Sequence, residues 1–277
     1  MNTAELSSMS KQVRRDIINM TANAGSGHPG GSLSAADLMT CLFFNHMHVD
    51  PKHPDDPNRD RFVLSKGHAA PCYYAVLAEM GFISRDEFKN SRQLHSILQG
   101  HPDSKKVPGV DASTGSLGQG CSIAVGMALG AKLSGYSNTV YAVMGDGEIQ
   151  EGQFWEACMY AGAHKLGNLI GIVDSNKIQL DGRVSEVLDT GDLQAKFEAF
   201  GFFVQSIDGH DVAAISDAID RAKAETGRAS MIIANTVKGK GVSFMENTCK
   251  WHGRVPTDDE FAAAFEELYQ RKAELEG

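Results

Sequence analysis

Four short apolar runs separated by helix-forming segments constrain this chain more than any other feature. They read "TVYAVMG" at 139–145, "NLIGIVD" at 168–174, "GFFVQSIDG" at 201–209 and "ASMIIANTV" at 229–237. Each is rich in β-branched or aromatic residues and carries apolar side chains on both faces, so each calls for cover on both sides. The segments between them, 121–134, 150–166 and 211–224, have helical spacing. This alternation predicts an α/β fold, a doubly wound parallel sheet with helices on both faces. Ligands of such sheets bind beyond the carboxyl ends of the strands. "GDGEIQEG" (145–152) and "DSNKIQLDG" (174–182) close two successive strands and therefore stand where a ligand belongs.

The N-terminal part is expected to hold a helix over about 4–23, with Val13, Ile17 and Met20 on one face, and a second helix beginning near Ser34. There "SAAD" offers an N-cap and an acid three residues on. The intervening "NAGSGHPGGS" is too glycine-rich for regular structure, and "APCYYAVLAEMG" reads as a buried helix after the short segment "RFVLSKGH". Thr257 and Glu260 form a capping box ahead of a final amphipathic helix. No repeat or linker interrupts the chain, so residues 1–277 are expected to form one domain, with 257–277 as a helical tail.

The two strand-end loops carry the first chemical pattern. Asp146 lies between two glycines, and Asn176 follows 30 residues later at the end of the next strand. Mg²⁺ is usually held by one or two protein acids, with phosphate and water oxygens completing about six ligands, so a sparse set suits it. Gly145 and Gly147 would let a phosphate approach the backbone, ahead of a helix N-terminus that favours anions. A Gly-Asp-Gly turn with an Asn cap would look the same in isolation; the second loop at this interval favours a metal–diphosphate clamp. A P-loop is excluded, because "GxxxxGK[ST]" is absent, and so is a dinucleotide fingerprint.

A second pattern is four histidines flanked by glycine: His28 in "SGHPGG", His68 in "SKGHA", His101 in "QGHPD" and His252 in "KWHGR". Any one of them would be an ordinary solvated side chain; together they suit proton transfer and hydrogen bonding to hydroxyls or phosphate. His46, His48 and His53, in "NHMHVDPKHPDDP", read as an exposed polar loop. A net charge of −9 with no dense Lys/Arg block argues against nucleic acid or an anionic membrane as partner. The five cysteines lack a CxxC pair or metal-ligand spacing and read as reduced core thiols of a cytoplasmic protein. No run approaches the roughly 20 apolar residues of a membrane span, and no apolar leader opens the chain.

In order along the chain, "SGHPGGSLSAADL", "DRFVLSKGHAAPCYYAVLA", "GHPD", "STGSLGQGCSIAVGMALG", "GDGEIQEGQFWEA", "DSNKIQLDG", "DGHD" and "KWHG" resemble the N-terminal, diphosphate-binding domain of transketolases, over residues 10–256. The resemblance implies the thiamine diphosphate-binding fold and transfer of a two-carbon ketol unit from a ketose phosphate to an aldose phosphate. It implies that Asp146, Asn176 and the carbonyl of Ile178 hold Mg²⁺, with Ca²⁺ or Mn²⁺ as substitutes, and that Gly147 offers its N–H to the diphosphate. Gly115, Ser116 and Leu117 would line the wall beside the cofactor rings, and His68 and His252 would touch the diphosphate and the sugar. His28 and His101 would contact donor hydroxyls, His252 would serve as acid/base, and Glu151 would link the two cofactor sites of a dimer. Glu148, at a variable place in the loop, receives no role.

Transketolases place the cofactor-activating glutamate, the stacking aromatic and the sugar-phosphate grip on a second domain. This chain stops at Gly277, so the resemblance implies the N-terminal subunit of a split enzyme, completed in an α2β2 assembly by a C-terminal subunit that binds the pyrimidine. Two other readings stay open on the residues alone. One is a subunit of another thiamine diphosphate enzyme, a 2-oxo acid dehydrogenase E1 α or a deoxyxylulose phosphate synthase-like protein; the other is a non-catalytic cofactor-binding module.

Overall fold

A computed structural model describes residues 1–276, with side chains described for 1–269. Helix α1 (Thr3–Ala24) opens on a reciprocal cap between Asn2 and Glu5. Two short helices follow, α2 (Pro29–Ser34) and α3 (Ala36–Cys41), and a π-helical turn runs from Leu42 to His46. Strand β1 (Arg61–Leu64) and helix α4 (Ala70–Met80) lead to α5 (Gln119–Ser134). Then come β2 (Val140–Gly145), α6 (Gly152–Ala163), β3 (Leu169–Ser175), α7 (Val184–Val187) and α8 (Leu193–Ala199). Strand β4 (Phe203–Asp208), α9 (Val212–Ala224), β5 (Ser230–Asn235) and α10 (Asp258–Glu276) complete the order.

The five strands form one parallel sheet in the order β1-β2-β3-β5-β4. Side chains alternate strictly between two cores. Tyr141 and Val143 of β2, Ile170 and Ile172 of β3 and Ile232 of β5 face the core built with α1, α3, α4 and α9. Val140, Ala142 and Met144, Leu169 and Val173, and Met231 and Ile233 face the core built with α5, α6 and α8. This is the expected doubly wound arrangement, and burying both faces explains why the strand sequences hardly alternate in polarity. The last helix begins at the expected box, with the Glu260 amide donating to Thr257 Oγ1 at 3.4 Å and the Thr257 amide to Glu260 Oε2 at 2.9 Å. Gly277, the end of the expected tail, lies outside the described residues. Among the described residues, no helix is long and apolar enough to cross a membrane.

Several local expectations are corrected. "HPGGS" is not irregular: Pro29 starts α2, and its glycines sit where neighbours leave no room for a side chain. A Cβ on Gly30 would lie 2.9 Å from the Trp251 carbonyl oxygen, and one on Gly31 3.3 Å from His68 Nε2. Tertiary crowding thus overrides helix propensity. Ser34 does not cap the next helix; it ends α2 and donates its hydroxyl to Asp174 at 2.6 Å. "RFVL" supplies a fifth strand, and α8 was not foreseen. The run around β4 is an edge strand with polar, exposed positions rather than a doubly covered one. His46 is buried against Asp220 at 3.2 Å, not part of an exposed loop, and Cys249 is exposed while the other four cysteines are buried.

Candidate functional site

The carboxyl ends of β2 and β3 open onto a cavity of about 260 Å³. It gathers His68, Leu117, Gly145, Asp146, Gly147, Glu151, Asn176, Ile178 and His252, nine of the predicted site residues from five separate stretches of chain. A larger cavity of about 470 Å³ beside Lys177 and Arg183 shares only Asp146 with that set, so size does not mark the site here.

Asp146 is 4% exposed. Its Oδ1 accepts from the Gly147 amide at 2.9 Å and its Oδ2 from the Lys177 amide, so the two loops are tied through this one carboxylate. Burial, with the Asp174 carboxylate nearby, pushes Asp146 up to about 6. Asn176 Oδ1 accepts from the Ile178 amide at 3.1 Å, which fixes the turn that aims the Ile178 carbonyl. That carbonyl accepts from the Lys238 ammonium at 3.0 Å, and Lys238 Nζ also lies 2.9 Å from His252 Nδ1. An ammonium donates only, so His252 Nδ1 accepts and its proton sits on Nε2. Burial, followed by the charge of Lys66, lowers Lys238 to about 8.

The histidines meet as rings. His28 lies 5.5 Å from His68 and from His252, His68 stacks on His252 at 5.2 Å, and His101 is 6.5 Å from His28. Burial is the first cause holding all four below the usual imidazole range: His28 at about 4, His252 at about 3, His68 well below and His101 lower by direction. The second is positive charge, from Arg92 on His28 and His101, Lys66 on His68 and Lys238 on His252. All four are therefore neutral near pH 7, and the buried Nδ1 of His28 has no protein partner among the described residues. Gly115, at φ 151°, packs under His101, where a Cβ would come within 2.9 Å of the ring. Ser116 is exposed outside the cavity, and Leu117 is exposed at its rim.

Sequence reasoning missed the groups beneath the site. Lys66 and Asp174 form a buried pair, and Lys66 Nζ also donates to the Gly31 carbonyl at 2.9 Å. Burial alone would raise Asp174, but the Lys66 ammonium holds it below the usual carboxylate range. Glu148, left without a role, is 2% exposed and accepts from the Gly118 and Gly145 amides at 3.0 Å each and from Ser65 Oγ. It pins the end of β2 to the loop before α5. Glu151, expected to link cofactor sites, is exposed at the cavity rim and at the start of α6. The signal for the two lysines was present in "SKGH" and "VKGKG", each a lysine before glycine just after a strand.

The donor set can be tested against what it would bind. One carboxylate, one amide oxygen and one backbone carbonyl are hard oxygen donors, and the carbonyl already attracts a cation, the Lys238 ammonium. A side chain at position 31 would crowd His68 Nε2, 3.3 Å from its Cβ, and Lys66 Nζ, 3.5 Å from it; Gly31 leaves that space open. By donor type the residues therefore suit a hard cation together with a polyanion.

Comparison with known proteins places this geometry. Residues 6–273 match the family model described as transketolase, thiamine diphosphate binding domain. A 6-deoxy-6-sulfo-D-fructose transketolase subunit of Clostridium sp. strain MSTE9 is 42% identical over 97% of this chain and 98% of its own length. An apulose-4-phosphate transketolase subunit from Actinobacillus succinogenes is 43% identical over 95% of this chain and 96% of its own length. The crystal structure of transketolase from Campylobacter jejuni superposes with a TM-score of 0.87 at 35% identity, covering 100% of this chain and 48% of that one.

Proposed function

The chain belongs to the transketolase thiamine diphosphate-binding family, and from that premise we propose that it is the diphosphate-binding subunit of a two-subunit transketolase. Residues 1–277 form its single domain, and a C-terminal, pyrimidine-binding subunit completes it in an α2β2 assembly in the cytoplasm. The observation that carries this reading is the convergence of Asp146, Asn176, the Ile178 carbonyl, two buried lysines and neutral histidines on one cavity at the ends of β2 and β3. The two relatives named as subunits, matched over nearly their whole length, support the split arrangement.

In this reading Asp146, Asn176 and the Ile178 carbonyl hold Mg²⁺, for which Ca²⁺ or Mn²⁺ can substitute, while His68, Lys238 and the Gly147 amide, released from Asp146 Oδ1 when that carboxylate takes the metal, meet the diphosphate. Bound thiamine diphosphate supplies an electron sink for the carbanion left when a ketose carbon–carbon bond breaks. The protein's part is orientation and proton movement. His252, with Nδ1 occupied by Lys238, offers Nε2–H as a hydrogen-bond donor to a sugar oxygen and can pass that proton to it as an acid while Nδ1 takes one from the Lys238 ammonium, the reverse transfer serving as base. His28 and His101, neutral and adjacent, are suited to donor hydroxyls, and Gly115 and Leu117 form the wall next to the cofactor rings, with Ser116 exposed between them. Glu151, exposed at the rim, faces the partner side and links the two cofactor sites of the assembly.

The relatives' names put 6-deoxy-6-sulfo-D-fructose and apulose 4-phosphate among the substrates to assay beside ordinary ketose phosphates. Calorimetry on the chain reconstituted with its partner should show Mg²⁺-dependent thiamine diphosphate binding and ketol transfer, with little of either from the chain alone. Asp146→Ala should abolish both. Full transfer by the lone chain, or an Asp146→Ala complex that works normally, would refute the reading.

A further inference from the structure

Behind the Lys238 loop lies a buried group of side chains that the cofactor reading does not use. Asp37, on α3, is 4% exposed and is gripped by Arg14 of α1, with Nη1 2.9 Å from Oδ1 and Nη2 2.5 Å from Oδ2. His210, between β4 and α9, sets Nδ1 2.8 Å from Asp37 Oδ2 and Nε2 2.8 Å from the Val237 amide. A backbone N–H only donates, so Nε2 accepts, and the proton of the neutral ring is on Nδ1 against the carboxylate. The same hub reaches the far end of the segment, where Arg14 Nε donates to the Lys240 carbonyl at 3.0 Å. Between these points the Gly239 amide donates to the Gly30 carbonyl at 3.0 Å, tying the loop to the helix that follows His28. Residues 237–240 are thus clamped at both ends and in the middle, and Lys238 sits inside the clamp. Arg14, Asp37 and His210 do not line the cofactor cavity.

We propose that Asp37 and His210 are positioning residues: they fix His210 as the Nδ1–H tautomer and so hold the Val237–Lys240 segment with the Lys238 ammonium presented to the diphosphate. The proposal rests on the reading that Lys238 meets a diphosphate. A flexible four-carbon side chain reaches a fixed target only if its backbone is held, and the carboxylate–imidazole pair here does for an ammonium what such pairs do for metal-bound imidazoles. Burial works to raise the Asp37 carboxyl, but Arg14 beside it holds it well below the usual range, so Asp37 stays a carboxylate able to accept from His210 Nδ1.

Two measurements test this. Nitrogen-15 NMR of the full chain should show His210 unprotonated at Nε2 and protonated at Nδ1, with the Val237 amide slow to exchange. Calorimetry on the reconstituted complex should then show His210→Phe, which leaves the Arg14–Asp37 pair intact, weakening Mg²⁺–thiamine diphosphate binding by about tenfold or more, and His210→Gln, whose carbonyl can accept from Val237, restoring it to within about threefold. A proton on Nε2 in the wild-type chain overturns the proposal, as does a folded His210→Phe complex that binds like wild type. If His210→Phe fails to fold, the wild-type tautomer and the His210→Gln affinity decide. A wild-type complex that binds no cofactor sinks the cofactor reading instead, whatever the tautomer.

Discussion

At the scale of single residues, the acids of "GDGEIQEG" separate by burial rather than by sequence. Asp146 and Glu148 are buried and fully engaged, whereas Glu151 is exposed. Glu148 could not be singled out beforehand, because two of its partners, the Gly118 amide and Ser65, lie 30 and 83 residues away and only the Gly145 amide is local. Glu148→Ala would strand those donors, and each buried unsatisfied group costs about 1–3 kcal/mol. We expect Glu148→Ala to lower stability by about 3 kcal/mol in urea unfolding and Glu148→Gln, which keeps one acceptor, to lose less. An unchanged midpoint for the alanine variant would show that the carboxylate is not needed to join β2 to the α5 loop. Lys238 was equally hidden: a lysine before glycine is common, and only the folded loop puts its ammonium on the Ile178 carbonyl.

At the scale of elements, hydrophobic pattern located the long pieces well. Helices α1, α4, α5, α6, α9 and α10 and strands β2, β3, β4 and β5 stand within a few residues of their expected places. What pattern could not locate were the pieces whose shape depends on neighbours: α2, which is glycine-rich because Trp251 and His68 press on it, and β1, whose four residues are too few for a period. Glycines illustrate the difference inside helices too. A Cβ on Gly162 of α6 would fall 1.8 Å from the Phe200 carbonyl oxygen, whereas one on Gly126 of α5 would meet nothing within 4 Å. Gly162→Ala should therefore destabilise by about 2 kcal/mol or more, through forced backbone displacement. Gly126→Ala should instead stabilise by about 0.5–1 kcal/mol, the helix-propensity gain. Equal effects in thermal unfolding would contradict this account of how α6 packs against the end of α8.

At the scale of the whole molecule, the site's neutral histidines set a pH dependence. His28, His68, His101, His252 and the separately buried His46 all have pKa values lowered in the folded state, so below pH about 6.5 the unfolded chain binds protons that the folded chain does not. Stability from these groups is complete above pH about 6.5 and is lost as the pH falls toward about 4. Asp16 and Asp146, raised to about 6 mainly by burial, act oppositely: the folded chain takes up their protons first as the pH falls below about 6. The urea midpoint should consequently fall as the pH drops below about 6.5, less steeply below about 6 than the histidines alone would make it, and His68→Gln should flatten the slope. A midpoint that rises throughout acidification would contradict the burial of neutral histidines. The sequence by itself determined the α/β class, the strand-end loops, the family and most residues that meet in the cavity, because these follow from local apolar periodicity and from side-chain types at fixed spacing. Only the tertiary structure decided which acids are buried, which lysines neutralise them and which tautomers the histidines hold, because burial and hydrogen-bond partners arise from contacts between segments as distant as Arg14 and Lys240, 226 residues apart.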